Sequence, residues 1–399
     1  MDWWHNLFPK LGETISDWLR PTVPEWGIYL IIGFLGVLIL VNLPTLLVPL
    51  LILLERRLLG RMQNRLGPNR VGPFGLLQPL ADAIKIMTKE AIIPENADKW
   101  VFNLAPVAMA VPVFLIFAVL PFGEDTFLTD LNVGILFIIA ITVTDTIGIF
   151  MAGWASNNKY ALFGAMRAVA QLVSYEVPMI IALLGVVLMA GSMSLIDIVI
   201  AQETMPFILF QPLGFIIFFI TVSAELNRSP FDLMEAESEI VAGFHVEYSG
   251  MKWALIQLAE FGGMLAFSGV IATLYLSGWE GPGLAPYLWL LVKMFFIVGI
   301  FIWIRATLPR LRIDQVMGLA WKFLLPLSII NAAVTAVEVV VWDEGLPYWL
   351  IGVNFAIAAL LIVGMSHLHR FPGRTRQVVP SRGVRKIEPI VHPASGGSE

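Results

Sequence analysis

The sequence predicts an all-α, polytopic membrane helix bundle of about eight to nine transmembrane helices, and three observations predict it. Of 399 residues, 58% are hydrophobic and only 14% are charged, a balance that no soluble domain buries. Apolar runs of about 20 residues, the length that crosses a bilayer, recur along the chain. Lys and Arg gather in alternate connections between those runs, as the positive-inside rule requires.

Taken in order, residues 1–27 read as an amphipathic, Trp-rich periplasmic segment without the short apolar core and cleavage site of a secretory signal. Nine candidate spans follow, at roughly 28–54, 101–121, 134–153, 168–190, 206–224, 253–277, 287–308, 323–342 and 348–366. The first is long and holds Pro44 and Pro49, which predicts tilt and a kink. Eight spans make up a membrane domain at 28–342, with long loops at 55–100 and 225–252. The ninth lies within 343–367, and the basic tail 368–399 is expected to be disordered, or to dock on a partner or on anionic lipid.

The cations orient this map. Two lie before the first span, eight after it, two after the third, two after the fifth, four after the seventh and six in the tail. The connections after spans two, four, six and eight have none, and Lys293 is the one cation inside a span. The N-terminus is therefore expected to be periplasmic, with the odd-numbered connections and the C-terminus in the cytoplasm.

Composition also excludes chemistry. There is no cysteine, which removes disulfides, thiolate zinc sites and iron–sulfur ligation. The five histidines, His5, His245, His367, His369 and His392, lie outside the apolar spans and supply no membrane haem with an axial pair. The chain is expected to bind no cofactor or metal and to have no nucleic-acid partner.

Three carboxylates stand in hydrocarbon: Asp145 midway along the third span, Glu176 in the fourth and Glu260 in the sixth. Each ionised carboxylate near the bilayer centre costs about 2.5–3.5 kcal/mol on insertion scales. Three cost about 8–10 kcal/mol, comparable to the net stability of a domain. They are tolerable if protonated, paired or hydrated; burial and mutual repulsion favour the neutral form, which allows proton exchange. The plainer alternative is a carboxyl that donates a hydrogen bond between helices. Glu338 and Lys293 sit nearer the outward ends, where they are expected to snorkel.

The stretch "AELNRSPFDLMEAESEIVAGFHVEY" adds six acids, Glu225, Asp232, Glu235, Glu237, Glu239 and Glu247, against one arginine, Arg228. Glu235 and Glu239 share a face if the connection is helical. A solvated loop would not interleave Phe231, Leu233, Ile240, Val241 and Phe244 among its acids. Such a chain of carboxylates titrates as a coupled set, reloaded by any charge that moves beside it. After the first span, Gly67-Pro68 and Gly72-Pro73 fix turns. Leu76, Leu77, Leu80, Ile84 and Met87 then recur at helical spacing, with Asp82, Lys85 and Lys89 largely off that stripe. This predicts an amphipathic helix on the membrane surface or against a partner.

Four stretches, "ERRLLGRMQNRLGPNRVGPFGLLQPLADAIK", "GWASNNKYALFGAMRAVAQLVSYEV", "AELNRSPFDLMEAESEIVAGFHVEYSG" and "RATLPRLRIDQVMGLAWKFLLPLS", carry a resemblance across most of residues 28–328. The chain resembles the quinone-cavity membrane subunit of respiratory complex I, the proton-pumping NADH–quinone oxidoreductase. The resemblance implies a subunit without a redox centre that walls a tunnel for a quinone, ubiquinone or menaquinone. Reduction would occur at the far end on soluble quinone-reducing and iron–sulfur subunits, and small membrane subunits would neighbour the chain.

Carried over by motif, Glu55, Arg56, Asp82, Arg228, Phe231 and Asp232 would belong to the quinone cavity. Glu225, Glu235, Glu237, Glu239, Glu247, Arg167, Glu176 and Glu260, together with Asp145, would make the proton path, and Arg305, Arg310, Arg312 and Asp314 the contact with the soluble arm. Met234 departs from the pattern, which has proline or another small residue there. Two alternatives are the related membrane subunit of an energy-converting hydrogenase, which has acidic loops but no quinone, and a stand-alone ion transporter. The second would call for lysines in broken mid-membrane helices, and this chain offers one lysine near a span end.

Overall fold

In the computed structural model the long apolar runs are helical, and no strand forms among the described residues, 7–21, 23–124, 126–234, 241–342 and 347–368. The chain opens with α1 (Leu7–Leu19) and enters the long first span α2 (Glu25–Met62), which contains Pro44 and Pro49. The short α3 (Gln78–Thr88) follows, then α4 (Lys99–Val119), α5 (Gly134–Ala155) and α6 (Lys159–Ala190). Next come α7 (Pro212–Glu225), α8 (Gly250–Tyr275) and α9 (Pro286–Thr307). The last two are α10 (Ile313–Val341), with a π-helical stretch at Leu319–Leu324, and α11 (Trp349–Leu368).

Eight of these helices are long and apolar enough to cross a membrane. Of the nine expected spans, the one that does not qualify is the fifth, α7. The predicted span 206–224 breaks at Gln211, whose φ of −124° and ψ of 58° lie outside the helical region. A four-residue turn, Phe207–Phe210, precedes the break and Pro212 starts the next helix. Proline suits a first helical position, and its missing N–H and bulky ring weaken the turn before it, which lets the chain leave the helical path at Gln211. The 14 residues of α7 rise about 21 Å, short of a hydrocarbon core of about 30 Å. Three spans start earlier or end later than the apolar runs alone predict. The first runs on to Met62, the fourth starts at Lys159 and the eighth at Ile313. Charged residues extend a helix at no hydrophobic cost once it leaves hydrocarbon.

The most buried span, α8, runs through the centre, with α2 and α11 the most peripheral. Local signals set the helix starts. Asp98 accepts from the backbone N–H of Trp100 at 3.2 Å to cap α4, and Asn158 accepts from Tyr160 N at 2.9 Å to cap α6. The loop side, which carries residues 63–98 and the connection after α7, is held close to the bundle by glycine. Gly164 on α6 lies so near the turn Gly243–His245 that a Cβ there would stand 2.8 Å from Gly243 Cα. Gly243 itself has φ +64°, and a Cβ on it would stand 1.8 Å from Met234 O.

The predicted surface helix forms as α3. Leu76, Leu77, Leu80, Ile84 and Met87 are all exposed on the chain. The snorkelling expected of Glu338 and Lys293 is not found. Glu338 is buried, 6% exposed, and accepts from Asn354 Nδ2 at 3.2 Å. Lys293 donates to the carbonyls of Leu276 (2.6 Å), Gly278 (2.9 Å) and Glu280 (2.7 Å), so its ammonium satisfies the orphan carbonyls at and beyond the C-terminus of α8. Nearby, Glu280 is pushed above its ordinary carboxylate value by burial and by Glu203 and Glu124, against the pull of Lys293.

Candidate functional site: two cavities joined at Glu260

Four helices enclose an apolar cavity of about 540 Å³ on the loop side. The walls come from α2, α3 and α8, with Arg305 from the end of α9. Most of the lining is aliphatic, and the polar groups converge at Glu55, Arg56, Gln78, Asp82, Gln257, Glu260 and Arg305. This is the usual make-up of a small-molecule site, hydrocarbon walls with a few placed polar atoms.

Those polar atoms are wired together. Glu55 is 4% exposed although it lies on the first span. Arg228 Nη1 stands 3.3 Å from Glu55 Oε2, and Arg305 Nη1 pairs with Glu55 Oε1. The other end of the Arg228 fork, Nη2, stands 3.2 Å from Glu260 Oε1. One guanidinium therefore joins α2 to α8, which suits a planar, permanently charged fork better than a lysine ammonium. Its carbon lies 4.3 Å from the centroid of the Phe261 ring, a cation–π contact that offsets part of the desolvation. At the mouth, Arg56 pairs with Asp82 at 2.8 Å and Gln78 donates to Asp82 at 3.0 Å, which ties α3 to α2.

Behind this lies a smaller cavity of about 60 Å³, lined by Asp145, Glu225, Thr142, Asn227 and apolar neighbours from α4, α5 and α8. Glu260 lines both cavities. Asp145 Oδ1 and both oxygens of Glu225 are shielded and have no hydrogen-bond partner among the described residues. A space of this size holds a few waters, and these orphan oxygens are the partners such waters need. Gln171 supports the wall, donating to Ala224 O at 2.8 Å and Asn227 Oδ1 at 3.2 Å. Glu176 accepts from Thr146 at 3.5 Å, and Tyr175 beside it donates to Val316 O at 2.9 Å. In the turn above, burial pushes the His245 imidazole below its ordinary value, against the pull of Glu260 and Asp232. Tyr248, stacked on Phe102 with centroids 4.1 Å apart, is raised by burial.

The structure thus brings Glu55, Arg56, Asp82, Glu260 and Arg305 onto one wall and Asp145, Glu225 and Glu260 onto the other, with Arg228 behind the first. Other predicted residues lie elsewhere. Phe231 is buried edge-on against Tyr175, with ring centroids 5.3 Å apart. Asp232 pairs with Arg310 at 2.9 Å. Glu247 accepts from Asn158 at 2.7 Å at the start of α6, Arg167 is half-buried on α6, and Arg312 and Asp314 are exposed at the start of α10. Glu235, Glu237 and Glu239 fall outside the described residues.

Sequence reasoning missed Gln78, Gln257 and Gln171, amides within polar reach of an acid or a helix end. Gln257, three residues before Glu260 on α8, was the legible one.

Comparison with known proteins fits this geometry. Residues 35–336 match the family model described as NADH dehydrogenase. A protein of Dehalococcoides mccartyi (strain CBDB1), named as the H subunit of NADH-quinone oxidoreductase, is 55% identical over 320 residues, which is 80% of this chain and 90% of that one. H subunits of NADH-quinone oxidoreductase from Geobacillus kaustophilus (strain HTA426) and Geobacter metallireducens (strain ATCC 53774 / DSM 7210 / GS-15) are 49% and 51% identical. They cover 81% and 71% of this chain and 98% and 89% of their own. On the breadth of those matches, and with eight helices able to cross a membrane, this chain belongs to the NADH dehydrogenase family as a multi-pass membrane protein of the H-subunit type.

Proposed function

We propose that the large cavity is the access path for a quinone in an NADH–quinone oxidoreductase, and that Glu260 passes the consequence of its reduction to the acids behind. The observation that carries this reading is the sharing of one carboxylate by two unlike spaces: an apolar one wide enough for a ring and isoprenoid tail, and an acidic one too small for either. The apolar walls suit the tail, and the Glu55–Arg228–Glu260 and Glu55–Arg305 pairs suit a polar headgroup in transit. With no cysteine in the chain, electrons would arrive on soluble iron–sulfur subunits against the loop side, taken as cytoplasmic from the distribution of cations.

The coupling follows from electrostatics. A headgroup near Arg228 that changes its charge changes how strongly that guanidinium holds Glu260. Asp145 and Glu225 line the same small cavity as Glu260, so their proton occupancy would change with it. Protons would then move through this chain or be handed to neighbouring membrane subunits.

An azido-quinone photolabelled onto the assembled complex tests the reading. Label competed off by unmodified quinone is expected on α2 around Ile52–Leu59 or on α8 around Trp253–Phe261. Label confined to other subunits would overturn it, and absence of any quinone binding would favour the hydrogenase-type alternative.

A further inference from the structure

The break just before α7 places a second polar site at the end of that helix remote from Glu225. Four residues of α10, Ser328, Asn331, Thr335 and Glu338, recur at one helical face, and all are less than 9% exposed. Facing them are Gln211, 2% exposed, at the break itself, and Asn354, 7% exposed, on α11. A cavity of about 20 Å³ lies among them, lined by Asn331, Thr335, Glu338 and Asn354 with apolar neighbours.

The hydrogen bonds nearly close. Asn354 Nδ2 uses both of its protons, on Phe210 O at 2.8 Å and on Glu338 Oε2 at 3.2 Å. Gln211 Nε2 donates to Thr335 Oγ1 at 3.1 Å, and Thr335 passes its own proton to Asn331 O at 3.0 Å. Three polar atoms remain without a partner among the described residues: the acceptors Asn354 Oδ1 and Gln211 Oε1, and the donor Asn331 Nδ2. In hydrocarbon such atoms are costly, so something supplies their partners.

Two species complete the inventory. With no side chain at Gly214, Asn331 Nδ2 and Gln211 Oε1 each approach to 3.1 Å from where a Cβ would stand, and a donor and an acceptor flanking one small residue are the partners that a bridging water needs. Asn354 Oδ1 needs a donor, and a proton on the other oxygen of Glu338 is the one its bonded neighbour can offer. That proton converts the single Asn354–Glu338 bond into a mutual acid–amide pair. The amide N–H groups already aimed at Phe210 O and Glu338 disfavour a metal ion in the same place. No other titratable side chain lines this cavity from α7, α10 or α11 among the described residues.

We propose that Glu338, paired with Asn354 at the break before α7, is a proton-binding site of this chain, separate from the acids around Glu260. The test is infrared spectroscopy of the intact complex carrying the wild-type or variant chain. The wild type is expected to show a protonated-carboxyl C=O band that shifts in D2O. Glu338→Gln should lose it, and Asn354→Leu should keep it at a shifted frequency, because the amide partner has gone. If Glu338→Gln fails to assemble, the Asn354→Leu arm decides. A band unchanged in whichever variants assemble would overturn the proposal. Raising the sodium concentration should leave the band intact; its disappearance would mean that the carboxylate takes a metal ion instead, which also overturns it.

Discussion

The two ends of α7 hold their polar groups in different ways. At Glu225 the surroundings are acids, and the charge they carry is met by guanidinium groups one layer out, Arg228 between Glu55 and Glu260 and Arg305 on Glu55. At Gln211, about 21 Å along the axis, the surroundings are amides and hydroxyls, and one carboxyl, Glu338, meets an amide and no cation lining its cavity. A lattice of ion pairs responds strongly to a moving charge, because each pair is poorly screened and each partner is expensive to leave alone. An amide network responds weakly. The difference therefore separates an end of the helix suited to coupling from an end suited to holding the helices together.

The largest expected effect tests the first half of that comparison. Arg228→Ala leaves Glu55 with Arg305 only and takes from Glu260 the guanidinium it shares with Glu55. Removing one partner of a buried pair costs about 3–5 kcal/mol, and about 1.4 kcal/mol of it expressed in turnover already lowers the rate tenfold. NADH-to-quinone electron transfer should fall more than tenfold while NADH oxidation by ferricyanide persists. Arg228→Lys should rescue little, because an ammonium cannot fork between two carboxylates. Quinone reduction near the wild-type rate in both variants would remove the lattice from the mechanism.

Next in size are single neutralisations. Glu260→Gln keeps the shape of both cavities and should slow quinone reduction several-fold. Glu176→Gln should lower protons pumped per NADH more than Glu338→Gln does, read as acidification of proteoliposomes. Equal and negligible effects at 176 and 338 would return Glu176 to a structural hydrogen bond with Thr146 and would erase the functional distinction between the two ends.

Asn354→Leu probes the other half. It removes two interhelical hydrogen bonds, and such bonds in membranes average about 0.6 kcal/mol each. A loss near 1 kcal/mol should lower the thermal midpoint by about 1 °C for a chain of this length, without slowing quinone reduction. A loss as large as that of Arg228→Ala would show that the amide end is as critical as the ionic one.

Much of this was readable beforehand, and the residues show why. Apolar runs place eight of the nine expected spans, five of them within a few residues at both ends, because the hydrocarbon phase tolerates so little else; the other three run on past the apolar stretch into charged sequence. Asp145, Glu176 and Glu260 stand out as charges where charge is costly, whereas Glu55 and Asp82 come only from the family resemblance. The break at Gln211 was missed because hydropathy averages over a window and is blind to one non-helical residue before Pro212. The pairing of Glu55 with Arg305, 250 positions away in sequence, is tertiary information that no local pattern carries. The stripe Ser328, Asn331, Thr335 and Glu338 was legible at helical spacing, but its residues are each polar enough to pass singly as surface positions.

The smallest effect concerns His245, which sits in the turn between the two cavities and the Arg310–Asp232 pair. Burial lowers its affinity for a proton in the folded chain, and Glu260 and Asp232 only partly restore it. Between the folded value and the ordinary value of about 6.5, the unfolded chain therefore binds more protons than the folded one. Stability linked to this group is complete above the ordinary value and is lost as the pH falls below it, until the folded imidazole also protonates. His245→Gln removes the titration and keeps a polar side chain. The ratio of inactivation half-lives at pH 7 and pH 5 should shrink by about twofold in the variant. A variant as acid-sensitive as the wild type would mean that the acid limb belongs to the carboxylate–guanidinium lattice alone, with the turn above it a passive cover.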